Sequence, residues 1–318
     1  MEIVYGVAVR QLGALIQLKQ LHPELKVIIS FGGASAANTA GFVFAATTEA
    51  GRKSLAASCI DMFVIGNVGT DWSGNPVSSS LFEGIDIDWE FPTDADTRNF
   101  TLLLREFRKQ LNALGKQNHK HYRLTIFAPA GAQNYLNIEL PEVAEQLDFM
   151  NVRGYDVHGT WENSTNHASS LFDSKQDPSF GQGLFLEAVI EAYLKAGVPA
   201  RKLVLGVPLY GYGWMGVSDV SAGLYQDATG PATSPPGDTL ATAGVATYST
   251  LASLPDFTRY FDVKRIAQWI YRPGTQTFWT FDDPVTVQAK MLYVNHRIPG
   301  GLGGAYAWAF KDDDSNGT

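Results

Sequence analysis

Cys59 is the sole cysteine of the chain, which excludes a disulfide framework and any thiolate metal site. It falls in the apolar run SCIDMFVI, where a thiol packs as a small inert hydrophobe. Positive charge is scarce as well: 24 Lys and Arg stand against 32 Asp and Glu, a net charge of −8, and no basic run occurs. Nucleic acid and anionic membrane surfaces are therefore not expected partners. No segment approaches the roughly 18 apolar residues of a membrane span, and no charged-then-apolar secretory leader is expected here. The residues themselves name no compartment. Internal repeats and low-complexity tracts are also missing. Apolar and aromatic residues, by contrast, are plentiful: 45% hydrophobic and 12% aromatic, with 7 Trp and 13 Tyr among 318 residues. That length suits one large α/β barrel carrying an insertion.

Short apolar runs alternate with longer amphipathic segments, the pattern of repeated β-α units around a parallel sheet. The clearest strands are KVIISFGG (26–33), GIDIDWEF (84–91), RLTIFAPA (123–130), FMNVRGYD (149–156), KLVLGVPLYG (202–211) and GAYAWAF (304–310). Helices are predicted over 98–117, where Phe100, Leu103, Leu104, Phe107, Leu111 and Leu114 recur at helical spacing, and over 184–197. From residue 212 the rhythm breaks into Gly, Ser, Thr and Pro-rich sequence and then short strand-like pieces, RIAQWIYR and TQTFWTF. The expected organisation is a (β/α) barrel over 1–211 and 281–318 with a small α+β insertion over 212–280, between the last two strands. A closed barrel needs eight strands, and six are credible here. The segment EIVYGVAV supplies one short strand at most, with a helix following over 11–20. Either the barrel is incomplete at its N-terminus or it closes in an unusual way.

LFEGIDIDWEFP (81–92) sets four acids, Glu83, Asp86, Asp88 and Glu90, in an apolar stretch. Side chains alternate faces along a strand, so Asp86, Asp88 and Glu90 share one face and Ile85, Ile87 and Trp89 the other. Glu83, three before Asp86, falls on the opposite side. Acids facing a barrel interior and climbing toward the strand's C-terminal end lie where barrel active sites are assembled. They cannot all stay ionised in a low-dielectric interior, so protons are shared and their pKa values split. Such a row suits general acid catalysis. A magnesium site at an acidic strand end, or a structural role, is the competing reading; the stretch is too apolar and strand-like for a calcium loop.

GIDIDWEF resembles the D-x-x-D-x-D-x-E signature of family 18 glycoside hydrolases, the chitinases and their relatives, with Glu83 standing for the first Asp. Five further segments fall in the family's order. SFGG (30–33) resembles its S-x-G-G, YDVHGTWE (155–162) its Y-D-F-H-G-x-W block, and LGVPLYGYGW (205–214) its G-x-P-x-Y-G-R-x-W. FDDP (281–284) and GGAYAWAFKDDD (303–314) resemble its closing part. The resemblance implies a TIM (β/α)8 barrel with an insertion between strands 7 and 8, acting on chitin or chitooligosaccharides without metal or cofactor. Glu90 would then be the general acid, and the substrate's own N-acetyl oxygen the nucleophile. Asp88 would orient the acetamido N–H, Asp86 would share its proton, and Tyr155 and Asp156 would hold the acetamido group.

Trp308 would form the floor under the distorted sugar, with Tyr210, Tyr212, Trp214 and Trp161 lining the cleft. Trp269, Tyr271 and Trp279 are weaker candidates that suit the insertion's own core. Arg153 stands where the family usually has Met, placing a charge beside the acetamido pocket. Tyr212 replaces a common Arg. The family's first two strands find no match here. The competing activities are an endo-β-N-acetylglucosaminidase and, from another class, a chitinase-like lectin; intact Glu90 speaks against the lectin. An extracellular setting is expected because a polymer substrate cannot enter a cell.

Overall fold

The computed structural model describes residues 2–67 and 81–313. The chain divides into two compact units, Met1–Phe127 with Leu136–Met150, and Ala128–Tyr135 with Asn151–Thr318. In chain order the first unit contains α1 (Glu2–Leu21), β1 (Ile29–Gly32), α2 (Ala36–Thr47), α3 (Glu49–Cys59), β2 (Gly84–Asp88), α4 (Thr97–Asn118) and β3 (Arg123–Ala128). After α5 (Ala132–Tyr135), which belongs to the second unit, come α6 (Leu140–Gln146) and β4 (Phe149–Val152).

β1, β2 and β3 pair in parallel, with Ser30 opposite Asp86 and Asp86 opposite Thr125. Parallel neighbours need crossover connections, and α2, α3 and α4 lie within them. α4 buries Phe100, Leu103, Leu104, Phe107 and Leu111 along one stripe, the face its sequence spacing predicts. It ends at His119, whose left-handed φ of 52° turns the chain so that the Lys120 N–H also reaches the Gly115 carbonyl, at 3.1 Å. The apolar face of β2 is also as predicted: Ile85, Ile87 and Trp89 are buried. The Trp89 ring stacks on Phe42 at 5.3 Å and meets Phe100 edge-on at 5.6 Å. Cys59 is buried at the end of α3, and burial pushes its thiol up to about 11.

Residues 2–21 form one helix, so EIVYGVAV does not contribute the short strand that was allowed for. No proline interrupts 2–21, and Leu12, Leu15 and Ile16, at helical spacing, pack on a cluster of Val27, Leu81 and Phe82. That packing favours helix over an isolated strand. Glu83 is structural: it pairs with Lys19, lies 3.6 Å from Lys26, and accepts the Val27 N–H at 3.0 Å. Burial opposes its ionisation, but Lys19 and the Val27 N–H outweigh it, leaving this carboxyl below its ordinary value.

The second unit continues with α7 (Leu186–Lys195), β5 (Leu203–Pro208), β6 (Tyr210–Met215), β7 (Gly230–Pro231), β8 (Val245–Thr247), α8 (Tyr248–Ser253), β9 (Thr258–Asp262), β10 (Ala267–Arg272), β11 (Thr277–Phe281), α9 (Pro284–His296) and β12 (Gly304–Trp308). β5 and β12 run parallel, with Gly206 opposite Tyr306. β6 to β11 build a separate antiparallel sheet in the order β7-β6-β11-β10-β9, with β8 also on β6. Trp214, Trp269, Tyr271 and Phe278 are buried together in one cluster, and Ile270, Trp279 and Phe281 in another.

The segment 202–211, expected as one strand, is split between β5 and β6. Pro208 has no N–H to continue a ladder, and the Leu209 N–H bonds the Trp308 carbonyl at 2.8 Å before the chain enters the second sheet. α9 is opened by a capping box in which the Thr286 N–H donates to Asp283 at 2.9 Å and the Asp283 N–H to Thr286 at 2.8 Å. Beside it Asp282 and Lys290 form a fully buried ion pair, to which Ser169 adds a 3.1 Å hydrogen bond. His167 is fully buried, and neither ring nitrogen has a hydrogen-bond partner among the described residues.

Candidate active site

In the first unit the site is built on β2. Asp86 is buried, and its two oxygens are held separately: Oδ2 accepts from Ser30 Oγ at 2.8 Å and Oδ1 from Thr125 Oγ1 at 2.5 Å. Parallel register places these hydroxyls directly opposite Asp86 on the flanking strands, so one face of three strands presents Ser, Asp and Thr in a row. Asp88, the last residue of β2, and Glu90, two residues beyond it, are half-buried. The SFGG turn comes close to the strand end. The Gly33 N–H bonds the Asp88 carbonyl at 2.9 Å. Gly32, at φ 129°, has no room for a Cβ, which would collide with the same carbonyl. Thr39 of α2 donates to the Glu90 carbonyl at 2.7 Å, and the Glu90–Phe91 peptide is cis.

In the second unit a separate group of candidate residues lies on the segment after β4, on β6 and on β12. Asp156, at φ 58°, lies 2.8 Å from the Arg153 guanidinium and accepts the Tyr210 hydroxyl at 2.5 Å. Burial first, and then the negative charge of Asp156, hold the Tyr210 and Tyr212 phenols above their ordinary value. Both therefore remain hydrogen-bond donors at any working pH. Tyr155 is buried, with the Arg153 guanidinium 5.4 Å from its ring centroid. The aromatic rings run in succession: Tyr306 to Tyr155 at 6.3 Å, Tyr155 to Tyr210 at 5.9 Å, Tyr210 to Tyr212 at 5.8 Å, Tyr212 to Trp161 at 5.4 Å. All are tilted edge-on, as ring quadrupoles prefer.

Trp161 is 61% exposed and Trp308, at the end of β12, 53%, so both have ring surface available to a ligand. The Trp308–Ala309 peptide is cis. Trp214 does not line a cleft. It is fully buried and its Nε1 donates to the Glu162 carbonyl at 3.0 Å, which makes it support for the tyrosine strand instead. Trp269, Tyr271 and Trp279 are buried within the antiparallel sheet.

Sequence reasoning did not assign Ser30, Thr125, Thr39 or Tyr306. A signal for the first two was present: each is the one hydroxyl residue of its strand, with apolar neighbours on both sides. Among the described residues no group of three or more His, Cys, Asp and Glu side chains could hold a metal ion.

The description Glycosyl hydrolases family 18 matches residues 4–313. Chitinase A1 of Niallia circulans is 32% identical over 94% of this chain, which spans 42% of that protein. The catalytic domain of a psychrophilic chitinase B from Arthrobacter TAD20 superposes with a TM-score of 0.84 at 34% identity, covering 96% of this chain and 71% of that one. A family 18 N-acetylglucosaminidase from Paenibacillus barengoltzii gives 0.79 at 30% identity, covering 96% and 84%.

Proposed function

The chain belongs to glycosyl hydrolases family 18, and on that premise we propose that it is a chitinase cleaving β-1,4-linked N-acetylglucosamine polymers with retention of configuration. The observation that carries this is the β2 face: a buried Asp86 pinned by two hydroxyls, then Asp88, then Glu90 at the strand's end. Fixed hydroxyl partners let a buried carboxylate stay in place beside other acids. In this reading Glu90 donates its proton to the glycosidic oxygen as the C1–O bond breaks. The N-acetyl oxygen of the same sugar closes on C1, and its N–H, held by Asp88, carries the developing positive charge. Water then attacks C1 as the bond to the N-acetyl oxygen breaks, restoring the acetamido group and leaving the anomeric hydroxyl, and Glu90 recovers a proton from that water.

Asp86 shares the proton of Asp88 through the cycle. Tyr155, Asp156, Tyr210 and Arg153 hold the acetamido end, Trp308 supports the sugar face, and Tyr212 and Trp161 extend the aromatic contact. The architecture proposed with it is a (β/α)8-type barrel over 1–211 and 281–318 bearing the antiparallel sheet as an α+β insertion over 212–280. The substrate implies an extracellular setting. Release of the chromophore from an aryl N,N′-diacetylchitobioside tests the reading. Glu90→Gln should lower kcat by about 100- to 10,000-fold while chitooligosaccharide binding persists. Wild-type binding without turnover would indicate a lectin, and turnover confined to glycoprotein N-glycans an endo-β-N-acetylglucosaminidase.

A further inference from the structure

Tyr306 has no role in the mechanism above, yet it touches the group that mechanism relies on. Its hydroxyl lies 3.1 Å from the Tyr155 hydroxyl, and the rings meet edge-on at 70°. The space they share is kept open by Gly206, which lies opposite Tyr306 in the β5–β12 register. A Cβ on Gly206 would come within 2.6 Å of Tyr306 Cζ, 2.7 Å of its hydroxyl oxygen and 2.8 Å of Tyr155 Cε1. In GGAYAWAF both neighbours of Tyr306 are alanine, so the large side chain at 306 is what fills that space.

A phenol hydroxyl is both donor and acceptor, and its proton rotates to suit its partner. Tyr155 is buried, with Tyr210 edge-on at 5.9 Å and the Arg153 cation over its ring. Those ring contacts fix where its oxygen sits, and the Tyr306 hydroxyl, at hydrogen-bond distance, is a partner that orients the Tyr155 O–H. We propose that Tyr306 is a positioning residue that acts through Tyr155, its hydroxyl fixing the Tyr155 O–H in the orientation that receives the acetamido group. This rests on the reading of Tyr155 as an acetamido-holding residue. The gain is preorganisation: a hydrogen bond aimed before the substrate arrives needs no reorganisation during reaction.

A double-mutant cycle tests it. Tyr306→Phe keeps the ring over Gly206 and removes only the hydroxyl. It should lower kcat/KM on the aryl N,N′-diacetylchitobioside by about 3- to 10-fold, the size of one hydrogen bond, with an unchanged Tm. In a Tyr155→Phe background the same change should produce no further loss, which a merely structural role would not give. The affinity for a chitobiose-derived thiazoline, a stable mimic of the cyclised acetamido group, should fall by the same factor and follow the same cycle. Calorimetry measures this where turnover is too slow. Additive losses, or a Tyr306→Phe enzyme indistinguishable from wild type in both measurements, would overturn the proposal. A wild type that binds the thiazoline without turning over substrate would remove the hydrolase reading and leave the binding cycle to decide on Tyr306. One that does neither removes both.

Discussion

Removing one hydroxyl from Asp86 takes a hydrogen bond from a buried carboxyl oxygen, and the penalty is that of a buried acceptor that has lost a donor. Ser30→Ala and Thr125→Val should each destabilise the fold by about 1–3 kcal/mol, read from urea unfolding at neutral pH. Equal stability of both variants with wild type would mean Asp86 is not held as described. A second residue-scale effect belongs to His167. Burial first, then the positive charge of Arg265, lower its pKa from 6.5 to about 3 in the folded protein. The unfolded chain takes up that proton below pH 6.5, whereas the folded one resists until about pH 3. Stability therefore declines as pH falls through that window and is fully present above it. His167→Gln should flatten the decline, measured as the difference in unfolding free energy between pH 7 and pH 5. At this scale the buried apolar side of Ile85, Ile87 and Trp89 was legible, because alternation in a strand follows from the sequence alone. The clamp on Asp86 was not: its partners lie 56 and 39 residues away and meet it only through strand register. Trp214 was misplaced for a related reason, since alternation fixes the side of a strand and not what covers that side farther along.

At the scale of elements, α4 offers the cleanest test of packing. Leu103 is fully buried in its stripe, and Leu103→Ala should cost about 2–5 kcal/mol, with a spread set by how far the cavity collapses. A loss below the lower end in chemical denaturation would mean that face is not the close-packed one. α4 and α7 were visible in sequence because their apolar spacing and end signals agree. Residues 2–21 were harder, since EIVYGVAV has the β-branched content of a strand and only its continuity with the packed turns at Leu12, Leu15 and Ile16 makes it helix. The break at Leu209 was hidden because LVLGVPLYG stays apolar across the point where its hydrogen bonds change sheet.

For the whole molecule, strand order matters more than strand count. Among the described residues β1 pairs with β2 alone and β12 with β5 alone. The six parallel strands expected from sequence are all present, but closure depends on stagger around a complete ring, which no single segment encodes.

The ion pair of Asp282 and Lys290 carries a different message. Both side chains are fully buried, so replacing either one alone strands a charge without water, whereas replacing both with apolar residues of similar size is tolerated far better. To natural selection, positions 282 and 290 are one unit of inheritance. They should drift only in step, and a library that varies them singly would score each as indispensable when what is indispensable is their agreement.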